Sequence, residues 1–167
     1  IIYEHLSREA NTIISTDKRG LKYLDNYYQF EIINTPKMNN FFFLPLSFFY
    51  ILFLSIKSFF LLKKKKIDKI FSTGGYMSLP IILAGKLLQL DIYLLEPNQV
   101  LGRANRFYLK FCKKIFCYTD KIKNISKYFE NKITIINPLV KENIYKINIS
   151  TERNNKFTLL IIGGSQG

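Results

Sequence analysis

Short apolar segments alternate with helical segments along most of the chain. The strand-like segments are NTIIST (11–16), QFEIINT (29–35), DKIFST (68–73), DIYLLE (91–96), KIFCYT (114–119) and KITIIN (132–137). Apolar strands separated by helices of about ten residues are typical of βαβ units in a buried parallel sheet. The sequence therefore predicts an α/β fold, a Rossmann-like parallel sheet with helices on both faces, with these strands in one sheet.

Helices are predicted at 1–9, 44–66, 78–90, 103–113 and 120–129. The polar stretch that follows the last predicted strand (132–137) contains the expected domain boundary. We expect an N-terminal domain over residues 1–138, an interdomain linker over 139–156, and a second domain beginning at 157–167 with the strand FTLLIIGG and its glycine-rich loop. The chain opens within a helix and closes at that loop, so we expect a fragment that is inactive alone.

Three loops follow strands at the edge where parallel sheets bind ligands. They carry Gly74-Gly75-Tyr76, Glu96-Pro97-Asn98 and residues 163–167 (GGSQG). Glycine-rich loops before helices offer backbone N–H groups to phosphate, and a carboxylate beside an amide suits sugar hydroxyls. A tight turn explains each glycine pair equally well, and a salt bridge or turn cap explains Glu96 and Asn98.

The segment FFFLPLSFFYILFLSIKSFFLLKKKK (41–66) is long enough, at about 33 Å for its 41–62 part as a helix, to span a bilayer. A single crossing would separate strands that we expect in one sheet, and Lys57 would be buried in lipid. We therefore expect the helix to pack one face on the sheet and to lie on the membrane surface, with complete burial as an alternative. The predicted membrane contacts are Phe48, Phe49, Phe53, Lys63, Lys64, Lys65 and Lys66.

The net charge of +13 favours an anionic partner. The lysines crowd the end of the apolar segment, which indicates an anionic membrane surface, and no nucleic-acid-binding signature is present. Cys112 and Cys117 lack the spacing and companions of a zinc site, so we expect reduced structural thiols and no metal site.

Taken together, the loops resemble the MurG family, the bacterial glycosyltransferase that adds N-acetylglucosamine (GlcNAc) to lipid I to form lipid II. The matching segments are 74–78 (GGYMS), 95–98 (LEPN, for HEQN), 101–106 (LGRANR, for PG-x-x-NR), 136–140 (INPLV, for GNPVR) and 163–167 (GGSQG, for GGSQGA). Their order and spacing agree along the whole chain.

The resemblance implies the N-terminal domain of a two-domain GT-B glycosyltransferase, an inverting and metal-independent hexosyltransferase of peptidoglycan synthesis without a cofactor. Its expected partners are UDP-GlcNAc, undecaprenyl-linked lipid I and the cytoplasmic face of the bacterial inner membrane, where it would be peripheral. The implied donor-binding residues are Asn98, Gly164, Ser165 and Gln166. The implied residues on the side of the acceptor and its diphosphate are Gly74, Gly75, Tyr76, Ser78 and Glu96.

Three departures from the family pattern affect this interpretation. Leu95 and Pro97 replace the histidine and glutamine of HEQN, and Val140 stands where GNPVR has arginine unless Lys141 supplies the charge. The family's GGTGGH loop, with its best candidate for a catalytic base, is not in this sequence. A GT-B transferase for another lipid-linked acceptor and a degenerate scaffold without catalysis therefore remain alternatives.

Overall fold

The computed structural model describes residues 2–24, 27–35 and 44–140. The elements are α1 (Ile2–Leu6), β1 (Ile14–Thr16), β2 (Phe30–Ile32), α2 (Leu44–Lys64), β3 (Lys69–Ser72), α3 (Leu79–Leu87), β4 (Asp91–Glu96), α4 (Arg103–Tyr108), β5 (Lys114–Cys117) and β6 (Ile133–Ile135). Short 3-10 turns occupy Leu21–Tyr23, Tyr76–Ser78 and Lys127–Lys132. Most of the predicted linker and all of 157–167, with Gly164, Ser165 and Gln166, lie outside the described residues.

The main sheet has four parallel strands in the order β3-β4-β5-β6. Ile70 pairs with Ile92, and Leu94 pairs with Ile115. These apolar side chains share one face and form a single core with Ile82 of α3 and other side chains of α3 and α4. The prediction of an α/β fold built on a Rossmann-like parallel sheet is confirmed.

The prediction of one continuous sheet is wrong. β1 and β2 form a separate parallel pair, and in the described part of the chain no ladder joins β2 to β3. Contacts between side chains connect the two units instead. The Lys65 ammonium lies 3.0 Å from the Glu31 carboxylate, and the Thr35 hydroxyl donates to the carbonyl of Met77 at 3.1 Å.

Helices α2 and α3 end with the same backbone arrangement. Lys66 adopts a left-handed conformation (φ 52°), and the N–H of Ile67 returns to the carbonyl of Leu62 at 3.0 Å. After α3, Gln89 (φ 57°) takes the place of Lys66, and the N–H of Leu90 donates to Gly85 at 2.9 Å. These six-to-one bonds satisfy carbonyls that a helix end leaves free, and they turn the chain into the next strand. They explain why α2 ends at Lys64 rather than at the predicted residue 66.

The inward face of α2 is narrower and more polar than expected. Its buried positions recur with helical spacing and are Ile51, Leu54, Ser55, Ser58 and Leu62. The Ser55 hydroxyl donates to the carbonyl of Ile51 at 2.8 Å, as serines inside helices commonly do. The principal partner of α2 is α3, not the sheet as predicted. Among the helices that the structure describes, none combines the length and the apolar character needed to cross a bilayer.

The predicted helix at 120–129 is also wrong. The N–H of Lys123 donates to Gln99 at 2.8 Å, and the N–H of Leu101 donates to Lys123 at 3.1 Å. Asn124 then adopts φ 65° before the 3-10 turn. Pairing with the segment after β4 therefore replaces the hydrogen bonds that a helix would make here. Cys112 and Cys117 are free and buried, as expected for structural thiols, and burial raises the pKa of Cys117 to about 11.

Candidate functional site

The loops after β3 and β4 lie side by side around one cavity of about 670 Å³. Because parallel strands end at the same edge of a sheet, the two loops meet although residues 77–95 separate them in the chain. The cavity is lined by Thr73, Gly74, Gly75, Tyr76, Leu79, Glu96, Pro97, Asn98, Gly102, Arg103, Ala104, Asn105, Phe107 and Tyr108. Five of the residues selected from the sequence are therefore brought together.

Ser78, also selected from the sequence, folds back onto its own loop. Its hydroxyl donates to the carbonyl of Gly75 at 2.9 Å and lies 3.3 Å from that of Gly74. The N–H of Gly74 donates to the Ser72 hydroxyl at 3.1 Å. Gly74 and Gly75 both have positive φ, 87° and 85°, which side-chain-bearing residues rarely adopt. The loop is thus a shaped turn that leaves Gly75 and Tyr76 at the cavity.

Side chains from elsewhere in the chain hold this loop. The buried Tyr108 hydroxyl donates to the carbonyl of Gly75 at 2.9 Å, and burial raises its pKa, so it remains a donor. The Thr35 hydroxyl donates to the carbonyl of Met77, two residues further along the loop. The guanidinium of Arg19 donates to the Tyr76 hydroxyl and lies 5.7 Å from the centre of its ring. Arg19 and Thr35 both belong to the β1–β2 unit.

Arg19 is itself held by Asp17, which is only 5% exposed. The Arg19 Nε donates to Asp17 Oδ2 at 2.6 Å, and the backbone N–H groups of Arg19 and Gly20 donate to Oδ1 at 3.0 and 2.9 Å. Burial alone would raise the pKa of the Asp17 carboxyl. The hydrogen bonds from Arg19 and Gly20 and the charge of Arg19 outweigh it and hold that pKa below its usual value.

The loop after β4 is organised by the carboxylate of Glu96, which is 2% exposed. Oε1 accepts from the backbone N–H and the side-chain Nδ2 of Asn98, at 3.2 and 2.9 Å. Oε2 accepts from the N–H of Gly102 at 2.8 Å and from Nδ2 of Asn105 at 3.1 Å. A carboxylate has about four lone-pair sites for hydrogen bonds, and these four donors occupy them.

Asn105 connects the two loops. Its Nδ2 also donates to the carbonyl of Leu95 at 3.1 Å, whereas its buried Oδ1 has no hydrogen-bond partner. A Cβ added to Gly74 would lie 2.7 Å from that oxygen. Gly74 is therefore required both by its φ and by the close approach of Asn105.

Sequence reasoning missed Arg19, Thr35 and Tyr108, whose partners are distant in the chain. Asn105 stood inside the matched segment 101–106 but received no role. The structure also describes the two residues that depart from the HEQN pattern. Leu95 is buried, and Pro97 lines the cavity.

The outer face of α2 carries the predicted membrane residues. Phe48, Phe49 and Phe53 are each more than 60% exposed. Leu52, Ile56 and Phe60 are also exposed and were not selected. Lys63, Lys64, Lys65 and Lys66 are exposed at the end of the helix, with Lys65 paired to Glu31. That these residues contact a membrane stays a prediction.

The profile described as "Glycosyltransferase family 28 N-terminal domain" matches residues 2–117. The chain belongs to glycosyltransferase family 28. All residues that line the cavity lie within the matched range. The family's N-terminal domain is therefore the part of the chain that carries the candidate site.

Two curated relatives of this family-28 chain carry the name "UDP-N-acetylglucosamine--N-acetylmuramyl-(pentapeptide) pyrophosphoryl-undecaprenol N-acetylglucosamine transferase". The protein of Pelagibacter ubique is 43% identical over all of this chain and 48% of its own length, and that of Rickettsia felis is 32% identical over 98% of this chain and 48% of its own length. The resemblance to the MurG family is confirmed. The chain spans about half the length of the curated relatives it matches.

Solved structures agree on the fold. The crystal structure of Acinetobacter baumannii MurG superposes with a TM-score of 0.63 at 18% identity, covering 84% of this chain and 40% of that one. A glycosyltransferase from Rickettsia africae gives a TM-score of 0.57 at 17% identity, covering 87% and 42%. At these identities the superpositions support the architecture of the family-28 domain.

Proposed function

We propose that this chain is part of a hexosyltransferase that moves GlcNAc from UDP-GlcNAc to undecaprenyl-linked lipid I, making lipid II. The observation that carries the proposal is the meeting of the Gly74–Tyr76 loop and Asn98 at one cavity, in a chain whose curated relatives are named for this transfer. Asn98 contacts hydroxyls of the donor sugar, and Gly74, Gly75 and Tyr76 face the acceptor and its diphosphate. In the matching C-terminal loop, Gly164, Ser165 and Gln166 hold the donor diphosphate.

The reaction, as the family resemblance implies, is a metal-independent displacement at the anomeric carbon with inversion. It requires a base for the acceptor hydroxyl and fixed N–H groups for the departing diphosphate. Among the described residues that line the cavity, only Glu96 carries a carboxylate, and four donors already occupy it. Glu96 is therefore not the base in this proposal.

The test is transfer of labelled GlcNAc from UDP-GlcNAc to lipid I by the full gene product, with Asn98→Ala alongside. We expect the variant to lose at least about tenfold in kcat/KM, the cost of one well-placed hydrogen bond. Asn131→Ala, at an exposed asparagine that does not line the cavity, is the control and should behave as the unmodified protein. A folded protein that transfers nothing to lipid I but uses another lipid-linked acceptor, or none, would refute the assignment.

We further propose that α2 rests on the cytoplasmic face of the inner membrane, as a peripheral contact. Exposed phenylalanines insert into the interface while lysines at the helix end attract anionic headgroups, each contributing about 1 kcal/mol near the surface. The apolar face of α2 and the cavity belong to the same domain, which suits an acceptor that is anchored in lipid.

Flotation with vesicles of phosphatidylglycerol tests this contact against vesicles of phosphatidylcholine. Phe49→Ser with Phe53→Ser should lower partitioning about tenfold or more, because two exposed rings no longer enter the interface. Tyr128→Ser removes an aromatic ring that is 81% exposed outside α2 and serves as the control. Equal partitioning of both variants would exclude α2 as the contact.

A further inference from the structure

Glu96 determines which end of the Asn98 amide faces the cavity. An ionised carboxylate only accepts hydrogen bonds, so the Asn98 atom 2.9 Å from Oε1 is the amide nitrogen and not the oxygen. The backbone N–H of Asn98 donates to the same oxygen at 3.2 Å. The two bonds close a ring that orients the side chain and leaves its Oδ1 on the opposite branch. Asn98 is exposed at the cavity, so this oxygen is the acceptor that the side chain can offer to a ligand.

The other oxygen of Glu96 is fixed by the scaffold. Gly102 and Asn105 donate to Oε2 at 2.8 and 3.1 Å, and Asn105 is 3% exposed. Rotation of the carboxylate would break both of these bonds, one of which comes from a buried side chain, so the carboxylate is held in place. Glu96 thus has neither free acceptor capacity nor exposure for a substrate of its own.

We propose that Glu96 is a positioning residue that acts through Asn98, by holding the Asn98 amide so that its Oδ1 is offered to the ligand as an acceptor. The ligand group at Oδ1 is then a hydroxyl or amide N–H that donates to it. The proposal rests on the proposed function, in which Asn98 contacts the donor sugar. It moves Glu96 from the acceptor side, where the sequence placed it, to the donor side.

The neutral isostere tests this arrangement. In Glu96→Gln, an NH2 group replaces one oxygen, so Asn98 either loses its partner or turns its own oxygen inward and presents Nδ2 to the cavity. We expect the KM for UDP-GlcNAc to rise about tenfold, with kcat and the KM for lipid I nearly unchanged. Asp91→Asn, at the opposite end of the same strand, is the matched control. A fall in kcat with unchanged donor KM would instead indicate acid–base chemistry and overturn the proposal.

Donor analogues sharpen the result. Among UDP-GlcNAc analogues in which one ring hydroxyl is replaced by hydrogen or by fluorine, the unmodified protein should disfavour the one altered at the contacted hydroxyl about tenfold, for either replacement. Glu96→Gln should show no further loss with that analogue, because the contact is already absent. Full discrimination by the variant would overturn the proposal.

A second variant covers the case in which Glu96→Gln does not fold. Asn98→Asp lies at an exposed position and keeps an oxygen acceptor, but its carboxylate is repelled by Glu96. We expect it to lose as much donor affinity as Asn98→Ala. Retention of the affinity of the unmodified protein would show that orientation by Glu96 is not needed.

The failure of the proposed function has a separate signature. If the unmodified protein transfers no GlcNAc, the inference is read from the side-chain amide signals of asparagine in the ¹⁵N-labelled protein. One signal pair, assigned by its loss in Asn98→Ala, should have a downfield proton that returns to the ordinary range in Glu96→Gln. An Asn98 amide that is insensitive to Glu96→Gln would overturn the inference whatever the enzyme's substrate.

Discussion

The two loops at the cavity are held in opposite ways. The loop after β4 is braced from within by Glu96, whose partners all lie within ten residues of it. The loop after β3 has local bonds from Ser72 and Ser78, but it is also braced from outside, by Tyr108 and by Arg19 and Thr35 of a separate pair of strands. A loop held by a local network keeps its geometry when its strand shifts. The geometry of a loop held by distant side chains instead depends on how the β1–β2 pair packs against the main sheet. The loop after β4, on the proposed donor side, is therefore expected to be rigid, and the loop after β3, on the proposed acceptor side, is expected to be adjustable.

The largest expected effect comes from Gly74, where the loop after β3 closely approaches Asn105 of α4. Gly74→Ala introduces strain at φ 87° and a Cβ 2.7 Å from Asn105 Oδ1, and Asn105 cannot retreat without breaking its bonds to Glu96 and Leu95. We expect a loss of about 1–3 kcal/mol in the free energy of unfolding from backbone strain, and a similar further loss from the clash. Chemical denaturation measures both.

Gly75→Ala is the matched control for this prediction. Gly75 has nearly the same φ, 85°, but a Cβ there would meet nothing within 4 Å. It should therefore show the strain alone. Equal losses for the two variants would mean that Asn105 does not couple the loops.

A smaller effect is expected on the acceptor side alone. Arg19→Gln and Tyr76→Phe each remove the hydrogen bond between Arg19 and Tyr76, so each should raise the KM for lipid I several-fold and leave the donor KM unchanged. The double variant should be no worse than either single one, because the two residues share one contact. Lys113→Gln, which removes an ion pair with Asp91 away from the cavity, is the control. An equal rise in donor KM would erase the distinction between the loops.

The smallest effect is on the acid side of stability. The pKa of Asp17 is lowered in the folded state, so its contribution is present above the ordinary aspartate value of about 3.9 and is lost as the pH falls through the lowered pKa. Asp17→Asn should therefore flatten the decrease in Tm from about pH 5 to pH 3. The pKa of Asp91 is lowered mainly by its hydrogen bond from Lys113, on an exposed edge, and Asp91→Asn should flatten that decrease less. An identical pH profile for all three proteins would contradict this prediction.

The sequence predicted the elements of the main sheet well because their information is local. The strand DIYLLE was placed at its observed bounds, and the loops after β3 and β4 were recognised from residues adjacent in the chain. The separation of β1–β2 from β3 could not be predicted, since it depends on which strand edges pair. The segment 120–129 has helical composition, yet pairing with residues 99–101 overrides that preference. Arg19 escaped notice for the same reason, because its partner lies 57 residues away.

The composition of α2 is mostly apolar, but the spacing of its buried residues shows two different surfaces. Two of its serines, Ser55 and Ser58, are buried, while the rings of Phe48, Phe49, Phe53 and Phe60 are exposed. The inner surface is thus built for close approach of a neighbouring helix, and enlarging it would push α2 and α3 apart. The outer surface has no such duty to the fold. Mutations there should leave the domain folded. The large apolar side chains of that surface therefore reflect what the surface contacts and not the packing of the domain beneath it.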